Sequence, residues 1–240
     1  MPETNVLTWD KTGERFYENG VSKGVLYPCT GANGAYNTGV AWNGLTGVTE
    51  SPSGAEPTDI WADNIKYATL RSAESFGGTI EAYTYPEEFE VCNGHAELIA
   101  GAYAAQQERV PFGFCYRTEV GNDTNAGADD GYKLHLVYGA TVNPSEKAYV
   151  TINDSPDAMQ LSWEFTTVPV VVNIPGKSLK PIAHLVVDSR KFKTEKEKAA
   201  LKELEDHLYG RDADQINSIT ELTPQLPTPS EVITYLTPAP

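Results

Sequence analysis

The sequence reads as a mainly β chain with one flanking α-helix. Three observations lead there. Several stretches alternate side-chain character with a two-residue period, many are rich in β-branched and aromatic residues, and only one segment carries a complete set of helix signals. The chain of 240 residues is 40% hydrophobic and 21% charged, which suits one elaborated domain or two small ones, able to bury a core without disulfide or metal staples.

Taken in order, residues 30–59 have little strand periodicity and many glycines, yet carry Tyr36, Trp42 and Leu45. That combination predicts a long loop or arm ordered against something else, since long loops in compact domains are usually functional or disordered. IKYATLRS (65–72) alternates, Gly77-Gly78 signals a turn, and TIEAYTY (79–85) is a second β-type run, so a hairpin over about 65–84 is predicted. HAELIAGAYAAQQ (95–107) has a weaker helical pattern interrupted by Gly101. EVGNDTNAGADDG (119–131) reads as a polar loop. YKLHLVYGATV (132–142) places Tyr132, Leu134, Leu136 and Tyr138 on one strand face. KAYVTI (147–152), LSWEFTTVPVVV (161–172) and PIAHLVV (181–187) read as further strands, with Pro169 confining the second to an edge or a bulge. The helix spans about 194–209: Thr194 and Glu197 form a capping box, Leu201, Leu204 and Leu208 make one narrow apolar stripe, and Gly210 stops it. The stripe implies packing on a sheet. Beyond Gly210, residues 211–240 read as a proline-punctuated arm with EVITYL (231–236) as a last strand.

Charge and motifs narrow the chemistry. The formal net charge is -15 and the pI about 4.6, which disfavours gripping nucleic acid through phosphates. The N-terminal MPETNVLTWD lacks a basic region followed by an apolar stretch, so no secretory signal is expected, and no apolar run is long enough to span a bilayer. Cys29, Cys92 and Cys115 show no CxxC spacing, so free, mostly buried thiols in a reducing compartment are expected rather than a disulfide scaffold or a structural zinc site. Gly176-Lys177-Ser178 ends like a phosphate-binding loop, but Val171 stands where its first glycine should be. Alternate oxygen donors over 123–129 resemble the start of a calcium loop; Leu134 in place of the closing Glu excludes an EF-hand. His95, His135, His184 and His207 form no HxH or HExxH pair and read as structural. Glu87 and Glu88, adjacent in the chain, cannot flank one glycosidic bond from a strand. No catalytic residues, cofactor or metal ligands are expected, and the chain does not read as an enzyme.

Two long stretches, GVAWNGLTGVTESPSGAEPTDIWADNIKYATLRSAESFGGTIEAYTYPEEFEVCNG (39–94) and FGFCYRTEVGNDTNAGADDGYKLHLVYGATVNPSEKAYVTINDSPDAMQLSWEFTTVPV (112–170), resemble the major tail tube proteins of long, non-contractile-tailed bacteriophages. The resemblance implies a β-sandwich of the tail-tube fold over 1–240, with the flanking helix and long inter-subunit loops. It also implies hexameric rings of the same chain stacked into a hollow tube, built on an initiator (distal tail) complex around a tape-measure protein and closed by a terminator. Viral DNA would pass through without tight binding. Such a protein is assembled in the host bacterial cytoplasm and resides in the virion tail, with no membrane partner. On this reading Tyr36, Trp42, Leu45, Trp61 and Tyr85 are candidates for contacts between subunits or rings, and Glu74 and Glu81 for the acidic lumen. The competing class is a carbohydrate-binding or adhesin-like β-sandwich, with Trp42, Trp61 and Trp163 stacking on sugar rings.

Overall fold

In a computed structural model, residues 6–30, 35–124, 131–151, 158–174, 176–213 and 220–237 are described. The fold is mainly β, as the alternating stretches predict. Its frame is an antiparallel sheet in the order β2 (Val40–Trp42), β1 (Phe16–Pro28), β11 (Phe112–Asn122), β12 (Gly131–Val142), β13 (Leu161–Thr167), β8 (Gly77–Ala82), β3 (Leu45–Glu50). Strand β14 (His184–Asp188) joins the same side of β12 as β13, but at the other end. It pairs with Lys133 to Val137, whereas β13 takes Ala140 to Val142. The hand-over occurs at Gly139, with φ +60°, where an added Cβ would lie 2.4 Å from the Val168 carbonyl oxygen, so only glycine fits.

The sheet bends until β3 returns toward β1. Leu45 sits so close to Gly24 that a Cβ there would stand 2.3 Å from its Cδ1. Inside the bend lies an aromatic-rich core of Trp42, Ile80, Phe89, Phe112, Phe114, Val137, Trp163 and Phe165. The 3-10 turn Glu87–Phe89 inserts Phe89 against Trp42 and Trp163, at centroid distances of 4.6 and 5.2 Å. On the opposite face, α1 (Glu195–Tyr209) lays Leu201, Leu204 and Leu208 on Tyr27, Cys115, Leu134, Leu136 and Tyr138. Each of those leucines contributes roughly 1.5–3 kcal/mol by burial. Thr194 caps α1 with the expected box to Glu197, and Gly210 ends it at φ 84°, ψ 161°, a region essentially open to glycine alone.

Several segments differ from the sequence reading. Residues 30–59 are not one loop: they contain β2, β3, β4 (Ser53–Gly54) and the start of β5 (Pro57–Ala62). The hairpin is shifted, because β6 (Ile65–Arg71) pairs with β5 across the Asp63-Asn64 turn, not with 79–85. Asp63 and Asn64 both adopt positive φ (50° and 62°), which a two-residue hairpin turn of this hand requires. Residues 96–104 form the hairpin β9 (Ala96–Ile99) and β10 (Ala102–Ala104) rather than a helix, turning at Gly101 with φ 82°. EVITYL belongs to α2 (Pro229–Leu236), whose Thr228 and Glu231 repeat the capping box of α1 with Pro229 in the first turn. Residues 147–151 carry no strand, and β13 stops before Val168-Pro169, leaving Val170 a single bridge to Ile182. The predicted loop 119–131 is strand at both ends; residues 125–130, and with them most of the calcium-like stretch, lie outside the described residues.

Candidate assembly surface

A strongly exposed apolar feature grows out of β3 and β8. Beyond their last pair the two chains continue as one ribbon: β4 pairs with β7 (Glu74–Ser75), and β5 then pairs with β6. Residues 51–63 can reach up to about 40 Å at the usual rise per strand residue. One face of the β5–β6 tip carries the Asp59–Lys66 ion pair (2.8 Å) and the Thr69 hydroxyl donating to Asp59 (2.9 Å). The other carries Ile60, Ala68 and Leu70, and Trp61, Ile65 and Tyr67 are also exposed, Tyr67 by 72% and Trp61 by 67%. A two-stranded ribbon showing this much apolar surface is marginal alone and gains stability from burial against a partner. The smaller β9–β10 hairpin adds Leu98 and Ile99, each at least 70% exposed.

The structure sorts the predicted contact residues differently from the sequence. Trp42 is core: it is 3% exposed, its indole N–H donates to the Thr84 carbonyl (2.9 Å), and its ring meets Phe89, Phe114 and Trp163. Leu45 packs half-buried on the same core. Tyr85 does so too, its hydroxyl donating to Glu90 at 2.8 Å. Tyr36 packs under the helices, and its hydroxyl accepts the Gly139 N–H at 2.9 Å. Trp61 alone of the five is presented outward. The sugar-stacking trio fares similarly, since Trp163 is fully buried beside Trp42.

The acids separate as well. Glu74 is exposed on the arm at β7, whereas Glu81 stands on the outward face of β8 and accepts from the Gln160 amide at 3.3 Å. On β8 and β13, buried Ile80, Ala82, Leu161, Trp163 and Phe165 alternate with outward Thr79, Glu81, Ser162, Glu164 and Thr166. That face carries two carboxylates, no cation and no large apolar side chain. Both described helices lie instead against the core shared by β1, β11 and β12.

Among the described residues one group has the make-up of a metal centre: Glu50 at the end of β3, His135 in β12 and His184 at the start of β14. His135 Nδ1 lies 3.2 Å from His184 Nε2 and 3.3 Å from Glu50 Oε1, and His184 Nε2 is 3.7 Å from the same oxygen. Burial pushes both imidazoles below their ordinary pKa, with the Glu50 carboxylate opposing the shift. The trio escaped sequence reading because its members come from three strands, and no local spacing joins them.

Cys92 and Cys115 are buried thiols, as predicted, and burial pushes both up to about 12, whereas Cys29 is only half-buried. No described helix is long and apolar enough to cross a membrane. A scan against models of known protein families finds no match, and neither does a comparison with curated protein sequences.

Proposed function

We propose that this chain is a non-enzymatic structural subunit that assembles with copies of itself into stacked hexameric rings, forming the tail tube of a long-tailed bacteriophage. The observation that carries the reading is the ribbon from β4 to β7, exposed on both faces and tipped with Ile60, Trp61, Ile65, Tyr67 and Leu70. An arm of this kind suits insertion between neighbouring subunits or rings. It takes the place of the arm expected at 30–59.

The lumen assignment rests on the outward face of β8 and β13. Sheets of neighbouring copies joined at their outer strands would extend this face into a continuous polar wall on which Glu81 and Glu164 repel phosphates. DNA would slide along that wall rather than be held. The tape-measure, terminator and initiator proteins are the partners this role requires, and its place is the virion tail after assembly in the host cytoplasm. The carbohydrate-binding alternative loses support, because two of its three tryptophan platforms are buried.

Negative-stain microscopy of the purified chain at increasing concentration tests the reading. Rings or hollow tubes are expected, alone or on addition of initiator and tape-measure proteins. A chain that remains monomeric under all of these conditions overturns it.

A further inference from the structure

The Glu50–His135–His184 group is more ordered than a chance meeting of polar side chains. The Thr118 hydroxyl donates to Glu18 at 2.5 Å, so toward His135 Nε2, 3.1 Å away, it can only accept. His135 therefore carries its proton on Nε2, and its Nδ1 presents a bare lone pair to His184 and Glu50. Glu50 is oriented in turn by the Tyr116 hydroxyl, which donates to Oε1 at 2.7 Å. Tyr116 also lies parallel to the His135 ring at 4.6 Å, and Phe76 flanks His184 at 4.5 Å.

Three acceptor-type atoms thus converge: a bare imidazole nitrogen, a carboxylate oxygen and His184 Nε2. The single proton that His184 can place there satisfies only one neighbour. Glu50 Oε1 also accepts from Tyr116, so that proton can go to His135; a cation instead takes a lone pair from all three atoms at once. Two of their separations, 3.2 and 3.3 Å, match the roughly 3.3–3.4 Å between ligands on a tetrahedron with zinc bonds of about 2.0–2.1 Å, and the third, 3.7 Å, closes to it with a small turn of the Glu50 carboxylate.

We propose that Glu50, His135 and His184 form a binding site for a zinc-type divalent cation, with His135 Nδ1, His184 Nε2 and a Glu50 oxygen as its protein ligands. The Nε2–H of His135 toward Thr118 and Glu18 supplies the outer support that orients a ligating imidazole. Two imidazoles with one carboxylate favour zinc over magnesium or calcium, which take oxygen. Glu50 keeps 38% of its side chain exposed, leaving a fourth position for water. His184 also lines an open groove with Glu74, Phe76 and Lys180, a path for the ion to enter. Binding replaces the contact between the two rings and ties β3, β12 and β14 at the open end of the aromatic core. The site is complete within one chain and does not depend on ring assembly.

The test uses the full chain, stripped with chelator and dialysed against micromolar free Zn2+. One tightly bound zinc per chain and a rise in Tm are expected, both lost in His184→Gln and in Glu50→Gln. Circular dichroism identifies any variant that fails to fold, and the remaining one then decides. Cobalt in place of zinc should give the visible bands of a tetrahedral nitrogen–oxygen site, without the near-ultraviolet thiolate bands that binding at a cysteine would add. Absence of stoichiometric zinc, zinc retained by the folded variants, or a thiolate spectrum overturns the proposal.

Discussion

Trp42 shows how one side chain can look like an interface residue and be a keystone. A tryptophan in a glycine-rich stretch signals that the stretch is ordered, but not by what. Here the orderer is the chain's own core, because Val40–Trp42 pairs with β1 and turns the indole inward onto Phe89, Phe114 and Trp163. Trp42→Ala is therefore expected to cost about 3–5 kcal/mol of monomer stability, measured by urea unfolding. Asp188 supplies a pH dependence. Arg190 donates to it from its backbone N–H and guanidinium, at 2.7 to 3.1 Å, and holds its carboxyl below the usual range. A carboxyl depressed on folding adds stability that is fully present above its unfolded pKa of about 3.9 and is lost as pH falls through the lower folded value. Below about pH 4 the unfolding midpoint of the parent should thus fall more steeply than that of Asp188→Asn, as acid titration of the two proteins will show.

Among the elements, α1 was legible to the residue at its N-terminus because its capping box and leucine spacing are local. The same box stands before α2 as Thr228 and Glu231, yet the β-branched run Val232, Ile233 and Thr234 pointed to a strand. Docking on the sheet beside α1 outweighs that weak preference, with Val232 fully buried. Residues 96–104 err the other way: alanines suggest helix, while a glycine at positive φ makes a hairpin. Partner choice is the part least readable from sequence. Nothing local in IKYATLR says that it pairs backward with 57–62 rather than forward with 79–85, and the meeting of Glu50, His135 and His184 depends wholly on such pairings. The arm yields a prediction at this scale. Trp61→Ala combined with Tyr67→Ala should leave the monomer's thermal unfolding nearly unchanged while raising the concentration needed for assembly at least tenfold, as sedimentation of polymer will report. Unchanged assembly would remove the arm from the contact.

For the whole molecule, the net charge of -15 matters through where it sits. On the outward face of β8 and β13 the carboxylates of Glu81 and Glu164 have no cationic neighbour within their strands, so that surface is repulsive to phosphate. Glu81→Lys together with Glu164→Lys should give tubes of normal appearance and virions that release DNA more slowly. Time-resolved ejection at low and high salt measures this, and salt should restore part of the rate because the added attraction is screened. Normal kinetics at low salt would place these residues away from the lumen.

The pairing of Phe16 with Asn122 also governs when the protein can exist at all. Strand β1 is made first and gains the short β2 on one side, but its other edge has no partner until β11 emerges. Strand β12 then waits for β13 and β14, and the face of β11 and β12 is covered only when the two C-terminal helices arrive. Contacts so distant along the chain fold slowly, on the scale of milliseconds to seconds. A nascent chain therefore cannot build the finished body before the two helices are made, and in the proposed role this would withhold each copy from polymerisation until then.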